Sequence, residues 1–329
     1  MKLFLKLCIL FAPVLFALGY VEHELGSVPN GYSMKRERVE RRIPEIKILI
    51  TGSSHSFYAI KPRALNQNAF SLAYISQDLF YDTRLLLKYV PRAPKLELVI
   101  IPISYFSLES KLRDTIEKWR CPFYHKFYGF PAAEPLDVKN YSLIALYGAS
   151  ETQSLIFRRF RSRNTELIDD DGGPPEGFRN SENSDLSSEA ALARHHSSMR
   201  PALVQENIDY LNEAVQVLKS RSVGVVFVTT PVYKSYYSHL NPAAYARMQD
   251  AIRSMSEQNG IQYHNYMEDL RFDESDFFDC DHLNASGMAK FTKILKNEIV
   301  DPSIASGTIV KEPNSRLGRR KAGNLEATP

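Results

Sequence analysis

The sequence predicts an α/β fold: a three-layer, flavodoxin-like arrangement of about five parallel strands with helices on both faces. Two observations carry this. Short apolar, β-branched runs recur along the chain, and the stretches between them place apolar residues at helical spacing. Strands separated by helices are too far apart in sequence to form hairpins, so they pair in parallel and are covered on both faces.

The first strand is Ile46-Lys47-Ile48-Leu49-Ile50, and a weaker run at Phe70 to Tyr74 supplies the second. Leu96 to Ile103, Val223 to Thr230 and Ile261 to Tyr266 supply the other three. Helical periodicity marks Leu79 to Tyr89, Val204 to Lys219, Ala243 to Gln258 and Ala285 to Val300, the third closed by Asn259-Gly260 as a C-cap. Between Arg161 and Met199 the pattern fails in a stretch rich in Gly, Pro, Ser and acids, which predicts a lid or insertion over 161–199. The polar stretch 301–329 lacks an apolar face and is expected to be disordered. The main domain is therefore placed at 46–300.

The composition narrows the function classes. A chain of 329 residues, 44% hydrophobic and 24% charged, buries a large core and is neither fibrous nor wholly disordered. Lys and Arg total 41 against 38 Asp and Glu, so no concentrated basic charge points to a nucleic-acid partner. Cys8, Cys121 and Cys280 are too few for a disulfide scaffold and lack paired metal-ligand spacing. A Cys121–Cys280 bridge and two free buried thiols both remain open. Asp169-Asp170-Asp171-Gly172 lacks the alternating ligands and terminal glutamate of a calcium loop, so no metal and no cofactor are expected.

Leu3 to Tyr20 is apolar apart from Lys6, with Lys2 in front and Ala17-Leu18-Gly19 behind. A basic start, an apolar stretch and a small-x-small exit are what an export signal needs, so 1–20 is expected to be a signal peptide or an uncleaved membrane anchor. Residues 21–45 are then a linker or juxtamembrane helix, and the main domain is exported to a periplasmic or extracytoplasmic compartment. The bland alternative is a buried N-terminal helix of a cytosolic protein.

Two stretches carry residues suited to chemistry. The first strand runs into Thr51-Gly52-Ser53-Ser54-His55-Ser56, at the carboxyl end where open α/β sheets place their sites. Gly52 permits a tight backbone and close ligand approach, although Ser and Thr also gather there merely as helix caps. Near the other end, Asp279-Cys280-Asp281-His282-Leu283-Asn284 precedes an apolar helix. An acid three residues before a histidine suits orienting the imidazole; the alternative is that Asp281 or Asn284 caps the helix and His282 is solvated. Arg194-His195-His196 is more simply read as a solvated loop pair. The aromatic stretch from Trp119 to Phe130 reads as packed surface before a sugar-stacking platform.

Gly52-Ser53-Ser54 together with Asp279-x-x-His282-Leu283-Asn284-x-x-Gly287 resembles the SGNH/GDSL hydrolase superfamily over roughly Ile46 to Val300. The resemblance implies a Ser54 nucleophile, a His282 base and an Asp279 partner. It places the second-block oxyanion donor at Ala73, where the family has glycine. The third block falls at Pro102-Ile103-Ser104-Tyr105, where Ser104 stands for an asparagine and Tyr105 flanks the substrate. The GSS form and the HLNxxG continuation are closest to the branch that handles cell-envelope polymers, including alginate O-acetylation and teichoic-acid D-alanylation proteins. That branch implies an exported esterase or O-acyltransferase, an acylated sugar or polysaccharide as substrate, and envelope polysaccharide-modification proteins as partners. The other readings are a cytosolic lipase-like esterase and a non-catalytic envelope carbohydrate-binding protein with a degraded site.

Overall fold

A computed structural model describes residues 2–160, 168–175, 177–178 and 186–305. Its centre is one parallel sheet of β1 (Ile48–Ile50), β2 (Ala69–Ser71), β3 (Leu98–Pro102), β4 (Gly224–Thr229) and β5 (Gln262–Asn265), in the order β2-β1-β3-β4-β5. All five predicted strands are present; four are shortened, and the second begins one residue early at Ala69 and stops at Ser71. The first loses Ile46 and Lys47 because Pro44 sits in a 3-10 turn, Ile43–Glu45, that leads into it. The alternation of side chains divides the core in two. Leu49, Val99, Ile101 and Phe227 enter one apolar cluster, and Ile48, Ile50, Leu98, Ile100, Val226 and Val228 enter the other. β2 and β5 are the edges; β2 is fully buried, while Gln262 and Asn265 of β5 are exposed.

The helices used below are α1 (Lys2–Gly26), α2 (Gly31–Arg42), α3 (Ser54–Phe57), α4 (Leu79–Tyr89), α5 (Cys121–Tyr128), α6 (Leu143–Phe160), α7 (Glu189–Ser198), α8 (Val204–Ser220), α9 (Pro242–Asn259) and α10 (Ala285–Leu295). α4, α8 and α9 bury Leu85, Val215 and Ile252 in the first cluster, while α10 buries Phe291 and Leu295 in the second. Gly260 closes α9 in the left-handed region, as its predicted C-cap role requires. α10 continues through a π-turn, Lys296–Val300, into a short helix, Asp301–Ala305, so the expected disordered tail begins with ordered backbone. Its remainder, 306–329, lies outside the described residues.

Residues 21–45 pack into the domain instead of linking to it. Glu22 accepts the Leu143 and Ile144 backbone N–H groups at 2.9 and 3.1 Å, and Leu25 is buried, so the last turns of α1 are docked at the start of α6. Farther up α1, Leu10, Phe11, Leu15 and Phe16 are exposed. Among the residues whose side chains are described, no helix is long and apolar enough to cross a membrane. α2 buries Val39 and Lys35. The Lys35 ammonium satisfies its three donors on the carbonyls of Ser71, Ala73 and Gly172, at 3.1, 2.5 and 2.6 Å. One buried cation thus ties α2 to the end of β2 and to the 168–175 turn.

The stretch expected as a lid is partly structured: its described residues include that turn and α7, while 161–167, 176 and 179–185 lie outside the description. The aromatic stretch 119–130 is mainly core, with Phe123, Tyr124 and Tyr128 buried and Tyr124 stacked on Tyr81 at 3.8 Å. Lys35→Met should strand three buried carbonyls and cost about 2–4 kcal/mol of stability, read as a lower urea midpoint with unchanged m-value.

Candidate active site

The chain leaves β1, returns to β2 on one side, and then places β3 on the other. This makes the carboxyl ends of β1 and β3 the switch point of the sheet, where a crevice opens. The turn after β1 is held tightly there. Gly52 has φ 113°, a conformation costly for other residues, and a Cβ on it would lie 2.8 Å from Ser56 Cβ. Its N–H donates to Asp82 Oδ1 at 2.8 Å. Gln77 Nε2 donates to the same oxygen at 2.6 Å, and the Tyr124 hydroxyl donates to Gln77 Oε1 at 2.9 Å. A buried polar chain from α5 through α4 thereby sets the backbone from which Ser54 projects. Burial raises the Asp82 pKa to about 7, against the opposing effect of the Gly52 N–H and Gln77.

The second block is a compact loop stapled to itself. Phe277 and Leu283 form an antiparallel bridge, the Phe278 N–H donates to the His282 carbonyl, and Asn284 caps α10 by accepting the Gly287 N–H at 3.0 Å. A Cβ on Gly287 would lie 2.1 Å from the Asp276 carbonyl oxygen, which explains the glycine. The loop aims His282 at Ser54, whose hydroxyl donates to Nε2 at 2.8 Å. On its other side, Nδ1 faces both Asp279 oxygens, at 2.9 and 3.0 Å, and Asp281 Oδ1 at 3.2 Å. In the neutral ring this puts the proton on Nδ1 and the lone pair toward serine; in the imidazolium both nitrogens donate. Burial alone would lower the His282 pKa; the charge of Asp281, then the hydrogen bond to Asp279, outweigh it and raise it to about 9.

The structure therefore brings Ser54, His282 and Asp279 together, and adds residues that the sequence reading passed over. Asp281 is buried beside His282, with His55 Nε2 at 3.2 Å and His195 Nε2 at 3.8 Å from its Oδ2. The pair lies on a helix and not in a loop, and the solvated reading is corrected for His195 alone, since His196 is exposed. α7 turns His195 inward, with its ring 4.2 Å from that of Phe106 and Nδ1 accepting from the Tyr236 hydroxyl at 2.7 Å. His196 sits on the other side of the helix near the Tyr105 hydroxyl, at 3.1 Å. The usable clue was Arg194-His195 after a helical Glu189-Ala190-Ala191-Leu192, which is amphipathic only once the core is known. Cys121 and Cys280 are both free, buried thiols, so the bridge alternative is not formed. His55, Asp281 and His282 are the one set among the described residues with metal-ligand spacing. Both ring nitrogens of His282 are already engaged by Ser54 and the carboxylates, and a metal there would have to break that relay.

A cavity of about 370 Å³ opens onto the nucleophile, walled among others by Ser53, Ser54, Tyr58, Phe106, His195 and His282. The expected oxyanion residues are not on its wall. Ala73 is fully buried against Phe57 and Tyr58, with its carbonyl taken by Lys35. Ser104 sits behind Ser53, its Oγ 3.3 Å from the Ser53 Oγ and its N–H donating to Ser107 Oγ at 2.9 Å. The Tyr105 hydroxyl accepts the Asn241 N–H at the start of α9, at 3.1 Å, and so faces away from the cavity. Ser76 and Gln77, three and four residues beyond Ala73, are on the wall, and Ser76 holds a positive φ of 58°.

No protein-family model matches the chain, and no curated protein matches it. Among solved structures it is similar to a Bacteroides fragilis NCTC 9343 protein described as an acylhydrolase, at 10% identity and a TM-score of 0.40, covering 84% of this chain and 95% of that one. It is likewise similar to a GDSL-like lipase from Bacteroides thetaiotaomicron VPI-5482, at 10% identity and a TM-score of 0.40, covering 84% of this chain and 100% of that one. The functional reading rests on the geometry of this chain's own residues.

Asp82 gives a pH test of the turn beneath Ser54. Its folded pKa of about 7 lies above the ordinary 3.8, so its contribution to stability is full below pH 3.8 and is lost as pH rises to 7. Asp82→Asn keeps an acceptor for the Gly52 N–H but cannot ionise. Urea titrations at pH 4, 5.5 and 7 should therefore show a smaller loss of stability in the variant than in the parent.

Proposed function

We propose that this protein is a serine esterase or O-acyltransferase that works through an acyl-enzyme. One observation carries the reading: an unbroken relay from Ser54 Oγ through His282 to Asp279, opening onto a cavity at the sheet's switch point. His282 Nε2 takes the Ser54 proton as Oγ attacks the acyl carbonyl. The resulting imidazolium is held by its Nδ1–H between two carboxylates, and we assign the Ser54 N–H as an oxyanion donor. Nε2–H then protonates the departing alkoxide, leaving the acyl group on Ser54. Water or a sugar hydroxyl attacks this ester with His282 again as base, which restores the serine.

The cavity has a mixed wall: Ser76 and Glu117 contribute polar groups beside Ile75, Leu79, Phe106 and Ile116, and Tyr58 stacks on Phe178 with centroids 5.2 Å apart, next to His282. These features support an acylated carbohydrate or cell-envelope polymer as substrate, with envelope polysaccharide-modification proteins as partners. The apolar start of α1 supports export, with the domain periplasmic or extracytoplasmic and residues 1–20 either removed or kept as an anchor. A second reading, a non-catalytic envelope carbohydrate-binding protein, is favoured by the absence of Ala73 and Ser104 from the cavity wall, since losing an oxyanion donor costs about 100- to 1000-fold in rate.

A serine-directed fluorophosphonate should label the parent on Ser54, located by mass spectrometry, and label neither Ser54→Ala nor His282→Ala. Ester cleavage should fall at least about 1000-fold in both. A folded parent that takes no label favours the binding-protein reading. Cell fractionation tests export: a pool outside the cytoplasm is expected, and its N-terminal sequence shows whether 1–20 is retained, whereas a wholly cytosolic chain overturns the export reading.

A further inference from the structure

Three imidazoles converge on one buried carboxylate. Asp281 Oδ1 faces His282 Nδ1 at 3.2 Å, and Oδ2 faces His55 Nε2 at 3.2 Å and His195 Nε2 at 3.8 Å. The three come from different parts of the fold: His282 from the last loop, His55 from α3 next to the nucleophile, and His195 from α7. We propose that Asp281, more than Asp279, carries the charge that forms on His282, and that His55 and His195 act as neutral positioning residues that hold Asp281 in place. This rests on the reading of Ser54 and His282 as nucleophile and base.

Local dielectric and proton count separate the two carboxylates. Asp279 makes the shorter contacts, but its side chain is 24% exposed against 2% for Asp281. Water screens the first charge far more than the second, and the interaction between charges grows as the local dielectric falls. The groups around the His282–Asp281 pair are Asp279 and Cys280 from the same loop, Ser54, His55 and Tyr58 from α3 and the turn after it, His195 from α7 with Arg194 beside it, and Tyr236 behind them. Burial holds His55 below its ordinary pKa and lowers His195 to about 3, so neither competes for charge. A neutral His195 that accepts from the Tyr236 hydroxyl at Nδ1 carries its proton on Nε2, facing Asp281. His55 likewise presents Nε2–H, clamped edge-on against Phe106 and His282 at 5.2 Å each. Asp281, held well below the usual carboxylate range by His282 and His55 against the effect of its burial, therefore faces one hydrogen-bonded neutral donor, His55, a second neutral imidazole at 3.8 Å, and one base that becomes charged.

The test follows His282 directly by 1H–15N NMR titration of ring-labelled full-length protein, in the parent, Asp281→Asn, Asp279→Asn and His55→Gln. The His282 titration should move down by about one unit or more in Asp281→Asn, a tenfold change in proton affinity, by less in Asp279→Asn, and by an intermediate amount in His55→Gln. In kcat/KM profiles the acid limb of Asp281→Asn should shift to lower pH while its plateau falls about tenfold further than that of Asp279→Asn, because the imidazolium loses its stabilisation in the transition state. A merely structural aspartate would lower stability without moving the titration. The proposal is overturned if Asp279→Asn, with its more exposed side chain, takes away the larger share of the shift. The titration needs no substrate, so absence of a fluorophosphonate adduct would sink the esterase reading while leaving this result to stand or fall by itself.

Discussion

A single contact joins residues 228 apart in sequence, the 2.8 Å hydrogen bond between Ser54 Oγ and His282 Nε2, and the architecture is best understood by what that contact requires. One partner leaves the first strand of the sheet and the other precedes the last helix. They can meet because all five strands are parallel, so the segments leaving β1 and β5 both emerge on the side of the carboxyl ends. A parallel sheet gives that common edge automatically, since every connection crosses back over a face. The helices that cover the faces thus serve the site indirectly, by keeping five strands parallel.

Geometry at the level of tenths of an ångström is then set by polar groups inside the protein. Tyr124, Gln77 and Asp82 pass a chain of hydrogen bonds to the Gly52 N–H, and Lys35 gathers three carbonyls behind Ala73. Buried polar networks of this kind are costly when incomplete and rigid when satisfied. Both networks end at backbone, which suits a role in shaping the loop around Ser54. The same reasoning explains why Ala73 and Ser104 are poor oxyanion candidates here. Each is held in place by a structural partner, so the wall is left to Ser53, Ser76 and Gln77.

Much of the fold was legible in the sequence because its signals are periodic and local. Four runs with β-branched residues and one weaker apolar run became five strands, and the Asn259-Gly260 stop and the Asn284 cap fell where propensity put them. Ser54, Asp279 and His282 were legible for a related reason: each lies in a short local motif, Gly52-Ser53-Ser54 or Asp279-x-x-His282, whose resemblance to a known family carries the pairing. What was illegible depends on tertiary burial. His195 in a polar stretch looks the same whether solvent or Phe106 lies against it, and Asp281 looks like a helix cap until His55, 226 residues away, arrives beside it. Lys35 belongs with these, since a charged helix following an apolar segment reads as a linker until its three carbonyl partners are known.

The site therefore places two carboxylates and three imidazoles within a few ångströms, mostly away from water, and such clusters stabilise a fold only weakly because of desolvation. Asp279 and Asp281 both address the same ring nitrogen, one from a partly wet position and one from a dry one. A base with two such partners binds its proton tightly in the resting protein, which works against deprotonating Ser54 at neutral pH. The same partners stabilise the ion pair once the tetrahedral intermediate has formed, when the oxyanion and the imidazolium appear together. The arrangement favours the charged intermediate at the expense of the resting base, and a cavity that excludes water when filled amplifies that difference.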